Sequence, residues 1–177
     1  MPQNIPLSTL FDFAIQQMAA ESYIHRITSE GLSLSDVLEF GNNNLPIGQL
    51  NNPDLPGNTR FVDLAGVPNA NQIIGSAQAF VSRYQIIDHH ANDATGFSAT
   101  LMFDNQANSY TLSFRSLEYQ NHAQGGDWER DGQGGAAGEI AGSGFALGQL
   151  VSMERYFSDL QQGVLFSVNI RQSVLLG

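Results

Sequence analysis

The 177-residue sequence contains no cysteine. That excludes disulfides, thiolate metal sites and a cysteine nucleophile together. Lysine is missing as well: the seven basic residues are all arginine, set against 17 acids for a net charge of -10. Such a balance argues against any phosphate-backbone partner, so nucleic acid is not expected, nor electrostatic adhesion to anionic lipid. Without lysine there is no Gly-Lys pair, and the glycine-rich stretches form no P-loop. No apolar run reaches the roughly 18 residues of a membrane span, so no transmembrane segment is expected. The start, "MPQNIPLSTLFDFAIQQM", lacks a basic region and a continuous apolar core and does not read as a signal peptide. Charged residues make up 14% and hydrophobic residues 42%, the composition of a globular chain. Residues 1–177 suffice for a single domain with a real core.

What is present is a series of periodic segments. Leu10, Phe11, Ala14, Ile15, Met18 and Ala19 recur at three-and-four spacing behind Ser8 or Thr9 as a cap, which predicts a first helix. "SEGLSLSDVLEFG" predicts a short helix capped by Ser33 or Ser35 and ended by Gly41. Residues 42–58, rich in Asn, Pro and Gly, read as an irregular connection. "NANQIIGSAQAFVSRY" predicts another helix with Ile73, Ile74, Ala77, Phe80 and Val81 on one side. Three strands follow, "RYQIIDHHA", "GFSATLMFDN" and "SYTLSFRS", the last two joined across "NQAN" as a hairpin. A glycine-rich passage spans 125–144. "GFALGQLVSMERYFSDLQQ" is then an amphipathic helix with Phe145, Leu150, Met153, Tyr156, Phe157 and Leu160 near one face. The tail "GVLFSVNIRQSVLLG" reads as the start of one more strand. Helix, strands, helix, strand is an α/β pattern built around a hairpin.

The run "FRS", a spacer, "DWERD" and "GFALGQLVSMERYFSDL" resembles the amino-terminal half of class 3 lipases of the α/β-hydrolase superfamily. It is most similar to large bacterial lipase-like proteins that carry calcium-binding glycine-rich repeats. In that family a strand ends in F-R-G-T, a D-W-x-x-D helix start follows, then a G-F helix, then a strand with the G-x-S-x-G elbow. The resemblance covers residues from Phe97 to Leu160. It implies an incomplete α/β-hydrolase-type sheet with amino-terminal helices and an antiparallel hairpin, the front part of a larger hydrolase domain. It also implies a secreted parent acting on a lipid or ester substrate, with no cofactor unless calcium serves the parent.

The resemblance assigns residues. The loop after the third strand, at Ser116 and Leu117, would offer backbone N–H groups to an oxyanion, at the carboxyl end of a parallel strand. Arg115 would be a structural cation, bidentate to Asp127 or Asp131, with Trp128 packed under the loop. Ser116 stands where the family has Gly, and Leu117 where it has Thr or Ser. Laid on "NIRQSVLLG", the family elbow puts Val174 where the serine belongs, with Ser173 one place off. The elbow, acid and histidine of the triad are missing from these residues, so the catalytic set is empty. The expectation is a lipase- or phospholipase-like serine ester hydrolase fragment that is itself inactive. The alternative is a non-catalytic binding module, self-associating through an open sheet edge.

The remaining candidates have plainer readings. Ser98 in "GFSAT" lacks the second small residue of an elbow and runs into a strand. His89 and His90, beside Asp88 and near Asp93, suggest a metal, but adjacent strand residues face opposite ways. His122 reads as a loop histidine and His25 as the polar face of the first helix. Asp127, Asp131 and Glu139 are hard oxygen ligands among glycines, yet their spacing matches no calcium loop, and no metal is assigned.

Overall fold

The computed structural model describes residues 5–41, 61, 77–115, 130 and 134–163. Helix α1 runs Leu7–Ala20. It opens behind Pro6, whose carbonyl accepts the Thr9 and Leu10 N–H groups, so Ser8 and Thr9 lie inside the helix and do not cap it. The apolar face drawn from the sequence divides: Ile15, Met18 and Ala19 pack on the core, Leu10 and Phe11 are half exposed, and Gln16 and Ala20 are buried beside them. Small residues at 19 and 20 let the helix approach the sheet closely, and an ion pair at Asp12 fixes which side faces in.

Helix α2 (Arg26–Glu30) was not foreseen. An Arg26–Glu30 pair at 2.8 Å one turn apart supports it, and Gly31 at φ 69° ends it. Helix α3 (Leu34–Phe40) matches expectation: Ser33 and Asp36 exchange a capping box, and Gly41 at φ 65° terminates it. Helix α4 (Ala77–Arg83) carries Ala77 and Phe80 into the core; Ile73 and Ile74 lie outside the described residues.

The strands fall where the alternation put them: β1 Tyr84–His90, β2 Ala99–Asp104 and β3 Ser109–Phe114. They form a meander in the order β1-β2-β3, antiparallel throughout. The β2–β3 turn is closed by Asp104, whose Oδ1 accepts from the Gln106 and Ala107 N–H groups, and by Asn108 in the left-handed region at φ 50°. The loop after β3 was expected at the end of a parallel strand; β3 instead pairs antiparallel with β2, and the expected last strand, in 164–177, lies outside the described residues. The described chain is a mixed α/β arrangement.

Beyond the strands, a helix α5 (Ala136–Ser143) occupies part of the glycine-rich passage 125–144, because Ala136, Ala137, Glu139, Ile140 and Ala141 outweigh two glycines in helix preference. Gly144 at φ 84° ends it and turns the chain into α6 (Leu147–Gln161), the expected amphipathic helix. Tyr156 is buried there, with Met153 and Leu160 partly so, while Phe145, Leu150 and Phe157 remain half exposed.

Both faces of the sheet are used. Tyr84, Ile86 and Met102 pack with Ala19, Ile24, Val37, Leu38, Phe61 and Phe80. On the other face Phe97, Ala99 and Leu112 meet Tyr156, Met153 and Leu160. Arg83 fastens the first layer: its guanidinium is bidentate to Asp104 (2.7 and 3.0 Å) and to Asp12 (2.7 and 2.8 Å), tying α4, β2 and α1 together. The Asp104 side chain is 3% exposed, so losing its partner strands a buried carboxylate. Arg83→Met is expected to cost about 3 kcal/mol in urea unfolding. Arg83 also holds the Asp104 carboxyl below its ordinary range. The stability it contributes is therefore present above the unfolded carboxylate value and lost as pH falls through the folded one, so the variant should show a flatter acid limb.

Candidate functional site

A crevice of about 370 Å³ opens between the β2–β3 end of the sheet and the α5–α6 hairpin. Phe97 and Phe114 form one wall; Ile140, Phe145, Leu150 and Met153 form the other. Gly144 lies in the turn between the two helices and borders the crevice as well. The lining is predominantly apolar, with Gln149, Ser98 and Arg115 at its margin.

The Asp93 turn positions Phe97. Its Oδ1 accepts from Thr95 N–H (2.7 Å), Thr95 Oγ1 (2.6 Å) and Phe97 N–H (3.2 Å), and its backbone carbonyl accepts from Arg130. Burial works against ionisation of Asp93, yet hydrogen bonds from Ser152, Thr95 and the Phe97 N–H hold its pKa below the ordinary value. Thr95 Oγ1 also meets Ser152 Oγ of α6 at 3.2 Å, so the turn is stitched to the helix that forms the far wall. Glu139 braces the hairpin from α5: its Oε2 accepts from the Gly148 N–H at 2.9 Å, satisfying a donor of the first turn of α6. Sequence reading offered Glu139 only as a calcium ligand. Among the described residues no group of three or more His, Asp or Glu side chains is placed to hold a metal ion.

Beneath α6, Tyr156 donates its hydroxyl to Asp88 Oδ2 at 2.8 Å. Burial raises the Asp88 pKa, and the Tyr156 bond opposes that rise. The His90 ring packs at a tilt against Phe97 and Tyr156 at 5.3 and 5.2 Å, and its Nε2 lies 3.7 Å from Asp93 Oδ2. His89 points to the opposite face, as strand alternation requires, where Nδ1 meets Thr100 Oγ1 at 3.0 Å. Burial first, then the nearby Arg115 and His25, hold His89 neutral, with its pKa well below the ordinary value.

Arg115 is held by its own N–H, which donates to the Ser98 carbonyl at 3.1 Å and extends the β2–β3 ladder. Its guanidinium lies 4.4 Å from the Tyr23 ring centroid. Phe114 and Arg115 are consecutive, so one side chain enters the crevice and the other turns to the α1 face. There the arginine suppresses protonation of His25, whose pKa burial chiefly lowers to about 4. Its platform in the described residues is thus Tyr23; the expected partners Asp127 and Asp131, and with them Trp128, Ser116, Leu117, His122, Ser173 and Val174, lie outside the described residues. His25 is not on the first helix: it caps α2, partly buried and edge-on to Tyr23 at 5.6 Å. Ser98 is buried, and its hydroxyl donates to the His90 carbonyl at 2.8 Å, so it is committed to the strand end.

The Asp88–Tyr156 bond and the Asp93 turn escaped sequence reading because each joins residues whose individual setting looks ordinary. Tyr156→Phe leaves a buried carboxylate short of a donor and is expected to lower stability by about 1–3 kcal/mol near neutral pH. Because the folded Asp88 pKa is raised, its contribution to stability falls as pH rises from 3.8 through the folded value. Removing the hydroxyl pushes that pKa further up, so the loss in urea melts should shrink on acidification. In comparisons with known proteins, no family model, no curated protein and no solved structure matches this chain.

Proposed function

We propose that this chain carries the front part of a lipase- or phospholipase-like ester hydrolase, and that the crevice receives the acyl chain of a lipid or ester substrate. One observation carries the reading. The apolar crevice of about 370 Å³ lies at the end of β3, directly before Ser116 and Leu117, where the resemblance puts the oxyanion loop. Its volume falls near the lower end of small-ligand sites, and its lining is that of a site for a hydrocarbon chain. An acyl chain enclosed there would place its carbonyl toward the Arg115 end of the strand.

Catalysis by these residues alone is not part of the proposal. The Ser98 hydroxyl is bonded to a backbone carbonyl and His89 to Thr100, so the described residues near the crevice supply no serine–histidine pair. The sequence contains no G-x-S-x-G. These same facts favour the second reading, a non-catalytic binding module, which shares the crevice and its ligand.

Titration calorimetry with decanoate is expected to show one saturable site, and Leu150→Trp, which fills the crevice from an exposed helix position, is expected to weaken it about tenfold or more without changing the melting temperature. The chain should not turn over p-nitrophenyl decanoate above the buffer rate. No binding, or binding indifferent to Leu150→Trp, contradicts the acyl site. Turnover abolished by replacing one serine contradicts the inactive reading and leaves the site standing.

A further inference from the structure

The outer edge of β3 combines three features of a docking strand. First, the peptide groups that face outward are identifiable. Arg115 N–H bonds Ser98 across the ladder, so alternate residues from 115 back to 109 turn inward and Tyr110, Leu112 and Phe114 turn outward. Among the described residues no strand pairs with that side. Among the described residues the Gln17 side chain reaches it, donating to the Phe114 carbonyl at 2.7 Å and leaving the oxygen's second lone pair.

Second, the strand's own sequence carries none of the usual guards. "SYTLSF" has no charge, proline, glycine or bulge, whereas β1, the opposite edge, is interrupted between Ile86 and Asp88. Third, apolar side chains flank it on both faces. Tyr110 is 66% exposed and Phe114 42% on one face. On the other, Leu10 and Phe13 of α1 lie on the same helical stripe as Gln17, and both are half exposed.

We infer that β3 is a homodimer interface, joining a second copy of this chain edge to edge in antiparallel register with Leu112 opposite Leu112. The register follows from the strand itself. A two-fold axis at Leu112 sets the three outward-facing residues against one another, each facing pair exchanging both N–H···O bonds. It also places each Tyr110 beside the partner's Phe114 on one face, a cross-strand aromatic pair made twice. The six-residue strand is therefore complementary to itself, and no charged group stands in the edge. The net charge of -10 on each copy opposes association, so salt should strengthen it. This interface is independent of acyl binding, although Phe114 borders both surfaces.

Sedimentation equilibrium of the full chain tests the interface. A reversible monomer–dimer equilibrium is expected. Tyr110→Lys should weaken it about tenfold, the roughly 1.4 kcal/mol that two lost aromatic pairs supply, with the variant still folded by circular dichroism because Tyr110 is 66% exposed and gives up within its own chain the Phe103 ring contact at 4.9 Å. Adding Phe114→Asp to Tyr110→Lys should restore dimerisation: the new charges face each other between copies, whereas within one strand they are four residues apart and too distant to pair. A folded monomer at every concentration overturns the inference, as does a dimer indifferent to Tyr110→Lys. A double variant no tighter than the single one overturns the register.

Discussion

The hydrogen bond from Arg115 N–H to the Ser98 carbonyl continues the β2–β3 ladder one residue past Phe114, and much of the molecule follows from the parity it keeps. Because side chains alternate, Thr100, Met102, Asp104 and Ser113 turn toward the amino-terminal helices, while Phe97, Ala99, Leu112 and Phe114 turn toward α6. The same count sends the side chains of Phe114 and Arg115 to opposite faces. Phe114 contributes to the apolar wall and Arg115 lays its guanidinium on Tyr23, on the side that holds His25 and His89. A slip of one residue would exchange these roles and bury the arginine against Met153.

The two faces are covered unequally. On one, α1, α3 and α4 bury a contiguous cluster and Arg83 locks three elements with four short contacts. On the other, α6 is attached through Tyr156, two partly buried residues and the Asp93 turn. An element with so little buried surface opens more readily than the core behind it. The crevice lies beside that attachment, where Phe97 and Phe114 face Ile140, Phe145, Leu150 and Met153, and the Tyr156–Asp88 bond at 2.8 Å fastens the helix next to it.

Elements whose signal is local were legible in the sequence. The three strands, the "NQAN" turn, the Ser33–Gly41 helix and the α6 helix follow from alternation, turn chemistry and caps, all read within a dozen residues. Orientation was not local. Ile15, Met18 and Ala19 of the expected α1 face pack on the core, yet Leu10, Phe11 and Ala14 stay outside it, and Asp12 reaches Arg83, 71 residues away, a pairing no local pattern announces. The α5 helix was hidden by its glycines, and the β1 bulge left no mark that separates it from a regular strand. Of the candidate site, the position of Arg115 at the end of β3 was legible; its contact with Tyr23 was not, because a ring 92 residues earlier in the chain gives no sequence signal.

The proposed acyl chain enters from the α6 side of the sheet and not from the side of the amino-terminal helices. Methionine methyl NMR separates the two directly, since Met153 borders the crevice and Met102 is fully buried against the amino-terminal helices. On titration with decanoate, the Met153 methyl resonance should shift and saturate while that of Met102 stays fixed. A saturable shift of Met102 with Met153 unmoved would contradict the account.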